Sequence, residues 1–292
     1  MIKVKIKKII KKFVYLILLY YFYYMKYRIC ILVKIEIEKL LKQRFIFFIF
    51  LFLILIQFLW AILRNQLPGI QNLGIYEANG FQVMSFCSSW TLKFSPVLMI
   101  ISIMLLSLEN TYGTIKSVLI RPVTRTEFIV SKIITIFIVV SVSILIIGIF
   151  AFLIGSIFFG LGDIKEGEYI IYGWKKISLN FILAYVISIL PVFALCMFGF
   201  FISTLIKETG AAIGVATGLY IIIWILSQYE PINRFMLNSY LSFPFDTAGD
   251  MAKGLSISWV PGLYYLLINT VIYISVFTGL SIINFNKKDI LF

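Results

Sequence analysis

Charged, polar and helix-breaking residues recur at close spacing in one stretch of this chain, Leu108 to Lys132. Glu109 closes an apolar run, and Gly113-Thr114 follows a few residues later. Ile115, Val118 and Leu119 then fall on one face of a short helix, which Pro122 stops. Thr126 is placed to cap the next helix. Arg125 offers a guanidinium group for charge-assisted, bidentate bonds to a carboxylate. Lys132 stands at the mouth of the following apolar run. Nothing in this pattern pairs a nucleophile with a base. A short, rigid, charged helix between two apolar segments suits docking and the transfer of force.

Other chemistry is thinly represented. The chain contains no histidine, which removes histidine acid–base catalysis and His-ligated zinc. Cys30, Cys87 and Cys196 are scattered, with no CxxC pair; Cys30 and Cys196 sit in or beside apolar runs and read as small buried hydrophobes. There is no G-x-x-x-x-G-K-[ST] loop, so the chain has no such means of binding ATP, and any work must draw its energy from a partner. No catalytic residue, cofactor or metal site is expected. An intramembrane transferase or protease would need convergent bases and nucleophiles at membrane depth.

The elements that must position the Leu108–Lys132 stretch follow from hydropathy. The 292 residues are 61% hydrophobic and 13% charged, with a mean hydropathy of +1.02. A water-soluble domain carries about 25% charged residues and has nowhere to hide this surplus of apolar surface. Uncharged runs suited to spanning helices lie at about 45–63, 92–108, 133–159, 178–206, 211–227 and 260–284. The expected fold is therefore an all-α integral membrane protein. It has six transmembrane helices and a short helix on the cytoplasmic side between spans two and three. Pro191 is expected to kink the fourth span. Gln57, Asn180 and Asn269 read as interhelical hydrogen-bonding groups, and the middles of these spans carry no ionisable residue.

With six spans, 19 of the 26 Lys and Arg fall on the side of both termini, among them Lys116, Arg121, Arg125, Lys132 and Lys207. Arg64, Lys93, Lys165, Lys175, Lys176, Arg234 and Lys253 fall on the other. The asymmetry places both termini in the cytoplasm and accounts for the net charge of +13 without invoking nucleic acid. Residues 1–28 form a basic, then apolar extension, read either as interfacial or as a start-site artefact with Met25 as the true start; residues 29–292 form one transmembrane domain. Within that domain, residues 29–44 read as an amphipathic lead-in helix. Ile31, Ile35, Leu40 and Leu41 face lipid, and Glu38 and Lys42 pair on the wet side. A plain charged stop before the first span explains the same residues.

The loop resembles the signature of type-2 ATP-binding-cassette exporter permeases: a Glu at the end of the second span, then Gly-Thr, then Pro-x-[Ser/Thr]-Arg, then Lys. Here Glu109, Gly113-Thr114, Pro122-Val123-Thr124-Arg125 and Lys132 occupy those places in order. Glu38-Lys39-Leu40 and Phe285-Asn286-Lys287-Lys288-Asp289-Ile290 resemble the family's start and end. The resemblance implies a permease subunit of an exporter in a bacterial plasma membrane. A second permease subunit, identical or not, and a separate cytoplasmic ATPase are its partners. Glu109, Gly113, Thr114, Arg121, Pro122, Arg125 and Lys132 would couple it to that ATPase. It also implies an amphipathic or hydrophobic substrate, such as an antimicrobial peptide, a lipid-linked molecule or a drug. In similar permeases, the region corresponding to residues 228–259 dips back into the membrane; a flexible outer loop is the plainer reading. The rival function is a non-transporting membrane scaffold or an immunity protein that binds a toxin directly.

Overall fold

A computed structural model describes residues 27–66, 79–114, 123–166, 169–256 and 258–287. The chain is mostly helical. The helices, in order, are α1 (residues 27–42), α2 (Arg44–Gln66), α3 (Gly80–Lys93), α4 (Pro96–Thr111) and α5 (Arg125–Phe159). They continue as α6 (Trp174–Leu205), α7 (Thr209–Leu226), α8 (Ser239–Ala252) and α9 (Val260–Lys287). Among the described residues five helices, α2, α5, α6, α7 and α9, are long and apolar enough to cross a membrane. The count becomes six if α3 and α4, bent by 42° at their junction, make one span.

The segment expected at 92–108 thus falls within a longer broken pair. The α3 sequence, GFQVMSFCSSWTLK, is polar enough to escape a hydropathy reading. Lys93 accordingly stands in the middle of this pair, not in a loop beyond it. An antiparallel hairpin, β1 (Ile164–Glu166) and β2 (Tyr169–Tyr172), also departs from an all-helical expectation. It pairs Lys165 with Ile170 and Glu166 with Tyr169, and the register shifts between Ile164 and Lys165.

Residues 228–259 are not a loose loop. They hold a 3₁₀ turn at Asn233–Phe235 and α8, whose Tyr240, Leu241, Phe245 and Ala248 are buried. The α8 helix packs against α3 and α6. A close backbone approach links α3 to α5. Gly80 N–H donates to Gly160 O at 2.9 Å, and a Cβ on Gly80 would lie 2.4 Å from Gly155 O. Only glycine fits there.

Hydrogen-bonded polar groups are set into the apolar interior, while many large apolar side chains face outward. Buried Ser107, Thr135, Thr270 and Ser281 donate to carbonyls one turn earlier in their own helices. Gln57 Nε2 donates to Ile147 O, Trp259 Nε1 to Asn180 Oδ1, and Asn269 Nδ2 to Arg234 O, so all three expected polar groups tie separate elements together. Outward positions carry Phe47, Phe48, Leu55, Leu145, Ile182 and Ile272. Pro191 stands buried within α6.

Two contacts fix which ends of the helices lie together. Arg125 Nη1 donates to Asn286 O at 3.0 Å, joining the start of α5 to the end of α9. Thr111 Oγ1 meets Thr209 Oγ1 at 3.0 Å, joining the end of α4 to the start of α7.

Candidate functional site

The site is built where α1, α4 and α5 converge. On α1 the inward face is set by Val33, Glu36 and Leu40, all buried, at the i, i+3, i+7 spacing of one helix face. Glu36 is thereby carried into the interior between two apolar neighbours. Ile31 and Leu41 turn outward, as expected, but Leu40 is buried, Cys30 is exposed rather than buried, and Glu38 and Lys42 do not pair; Glu36 and Lys39 do. The α4 helix presents Glu109 near its C-terminal end. The α5 helix presents Lys132 about two turns in from its start.

These side chains close on one another. Lys132 Nζ lies 3.0 Å from Glu36 Oε2 and 3.0 Å from Glu109 Oε2. Lys39 Nζ lies 3.0 Å from Glu36 Oε1 and 2.7 Å from Glu109 Oε1. Each carboxylate gives one oxygen to each ammonium, so the four charges form a closed ring of alternating sign and no net charge. The Lys132–Glu109 contact is an ion pair without the angle of a directed hydrogen bond.

Lys132 is fully buried and also donates to Leu105 O at 2.7 Å. Its ammonium lies 4.7 Å from the centroid of the Phe128 ring, which stacks on Phe285. Lys39 is 44% exposed and forms the open side of the ring. Burial alone would lower its ammonium. The hydrogen bond and charge of Glu109, with those of Glu36, outweigh burial and hold it above its ordinary value.

A buried charge is costly unless it is paired, and each member of this ring is paired with two groups of opposite sign. Its chemical capacity is therefore mechanical. It holds three sequence-distant segments in one register.

The loop between α4 and α5 emerges beside this ring, and its two roots are fixed. At the first root, Tyr112 N–H returns to Leu108 O, Gly113 takes a φ of +68° to end the helix, and Thr114 Oγ1 reaches Glu109 O at 3.5 Å. At the second, Thr124 rather than Thr126 caps α5, in a full capping box with Glu127. Glu127 Oε2 accepts from Thr124 N–H at 2.7 Å, and Thr124 Oγ1 accepts from Glu127 N–H at 3.2 Å. The spacing Thr124-x-x-Glu127 is the sequence signal for that cap.

Of the seven residues singled out in the sequence, Glu109 and Lys132 meet directly, and Gly113, Thr114 and Arg125 lie at the roots of the loop. Arg121 and Pro122 fall outside the described residues, as do Ile115, Val118, Leu119 and the extension 1–26. Sequence reading missed Glu36 and Lys39 as ring members. The buried Val33-x-x-Glu36-x-x-x-Leu40 spacing was the available signal.

A family model described as "Protein of unknown function (DUF2705)" matches residues 40–291. No curated protein matches the chain.

Proposed function

Starting from the premise that this chain belongs to the DUF2705 family, we propose that it is the membrane-spanning permease subunit of an ATP-binding-cassette exporter. In this reading both termini are in the cytoplasm of a bacterial cell, in its plasma membrane. The 112–124 loop docks into a separate ATPase, and a second permease copy or relative completes the pathway. The substrate is amphipathic or hydrophobic.

The charge ring beside the loop carries the reading. A segment that receives force must be fixed at both roots, or it will bend locally instead of moving the bundle. Glu109 stands just before the first root and Lys132 just after the second, and both are locked to α1 through Glu36 and Lys39. Arg125 ties the same place to the end of α9. Long apolar helices with large apolar side chains on their outer faces, and polar groups hydrogen-bonded between helices inside, support residence in a bilayer.

Purification of the tagged full chain from its native membrane tests the reading. The expected result is a co-purifying cytoplasmic ATPase whose hydrolysis depends on the permease. Arg121→Ala is expected to lower that hydrolysis while the chain stays inserted and folded. A chain that purifies without any ATPase, or a complex whose hydrolysis ignores Arg121→Ala together with Ile115→Pro, would sink the coupling role.

A further inference from the structure

The other concentration of polar groups lies between α3 and α8. The two helices run face to face, with Gln82 Nε2 donating to Ala252 O at 3.1 Å and Gly249 against Ser85. Beyond that contact they part around a notch of about 300 Å³. Its walls include Phe86, Trp90, Lys93, Asp246, Asp250 and Lys253.

Asp250 and Lys253 satisfy each other at 2.9 Å. The remaining pair is different. Lys93 rests 4.1 Å from the centroid of the Trp90 ring, and Asp246 accepts from Ser89 Oγ at 2.7 Å. Among the described residues neither has an ion-pair partner, although both line the same cavity. Ser89, which anchors the carboxylate, and Lys93 are four apart on one helix face, about one turn or 6 Å along the axis.

Lys93 also sits 16 residues before Glu109 in the broken pair, about 24 Å along the helix. If the ring marks one edge of a hydrocarbon core about 30 Å thick, Lys93 lies within that core, toward the opposite edge. Ionisable side chains at such depth are costly and mark ligand or ion paths.

We propose that this notch binds a headgroup-sized zwitterion, its ammonium at Asp246 and its anionic group at Lys93. The inference rests on the membrane reading above. Two opposite charges that line one cavity, each without an ionic partner among the described residues, complement a ligand carrying both signs. An anion alone would leave Asp246 facing it, and a cation alone would face Lys93. Trp90 and Phe86 supply the apolar wall for the adjoining carbon chain. The volume stands at the low end for ligand pockets, enough for a phosphoethanolamine-type group and too small for a folded peptide. Such a group can arrive on a phospholipid or as a free small molecule.

The test is a thermal-shift titration of the full chain in detergent. The probes are phosphatidylethanolamine, phosphatidylglycerol and water-soluble phosphoethanolamine. Phosphatidylethanolamine is expected to raise the melting temperature and phosphatidylglycerol is not. A matching shift with phosphoethanolamine shows that the headgroup suffices, and its absence assigns the lipid as the source. Asp246→Asn and Lys93→Gln are each expected to weaken the response at least about ten-fold, because each removes a charge-assisted bond, while the unliganded melting temperature stays unchanged. Equal shifts with the anionic lipid, no shift with either zwitterion, or shifts that survive both substitutions overturn the proposal. ATPase co-purification is read separately, so a failed notch does not count against the permease, nor the reverse.

Discussion

The ring at Glu36, Lys39, Glu109 and Lys132 and the notch at Lys93 and Asp246 are built from the same side-chain types. They differ in closure. In the ring every carboxylate oxygen meets an ammonium, and Lys132 is wholly buried. In the notch, Lys93 meets an aromatic face and Asp246 a hydroxyl, beside an open cavity. A closed set of charges holds protein segments to one another, whereas an open set keeps its attraction for something outside the chain. Paired ionic side chains and unpaired ones thus have two separate uses in this molecule, and they should respond differently to mutation.

The largest effect is expected from Lys132→Met. It leaves two carboxylates buried near each other with only the half-exposed Lys39 between them, and removal of one member of a buried ionic set costs about 3–5 kcal/mol. The measurement is melting temperature and folded yield in detergent. Replacing all four ring residues with apolar or amide side chains of similar volume should recover most of that loss, since no unpaired charge remains. If the single and quadruple variants are equally unstable, the ring is not the closed unit described here.

Gly80→Ala comes next and sharpens the contrast from the packing side. Its new methyl meets the carbonyl oxygens of both Gly155 and Gly160, which cannot rotate away. A loss of about 1–3 kcal/mol is expected, and it should spread the α3–α5 contact near the notch without touching the ring. Spin labels placed on α3 and α5 would detect the separation. An unchanged distance would show that the approach is looser than it looks.

Glu127→Ala removes one half of the capping box at the second root of the loop and should cost about 1 kcal/mol. Hydrogen exchange in the first turn of α5 should rise while exchange around Lys132 stays slow. Rapid exchange at both places would mean that the cap, not the ring, fixes the root.

The smallest effect is expected at Asp246→Asn. Its carboxylate opens onto the notch and has no ionic partner among the described residues, so stability should change by no more than about 0.5 kcal/mol. A loss as large as that of Lys132→Met would erase the distinction between the two regions.

The sequence made some of this legible and hid the rest for identifiable reasons. The long apolar helices could be read directly, because α2, α5, α6, α7 and α9 each carry an uninterrupted apolar stretch. Glu109 and Lys132 stood out because they interrupt such stretches. The left-handed Gly113 fits a Gly just past a helix end. Three features stayed hidden. Glu36 looked like one more charge in an Ile-Glu-Ile-Glu run, and alternation there obscured the helical spacing that buries it. Its partner lies 96 positions away, beyond any local pattern. The α3 and α8 helices are rich in Ser, Thr, Gly and Asp because they face each other around a polar notch, so composition marked them as loops. The property that conceals them from hydropathy is the one that gives the notch its chemistry.

The neutrality of the ring has an electrical consequence under the permease reading. One elementary charge moved across the full membrane potential couples to it by about 2.3 kcal/mol per 100 mV. The ring carries two positive and two negative charges. Displaced as a unit along the membrane normal, it does no net work against that potential, whereas Lys132 shifted alone would. The anchored end of the bundle can therefore shift at constant voltage sensitivity, leaving the energised state of the membrane without a grip on the element that receives the force.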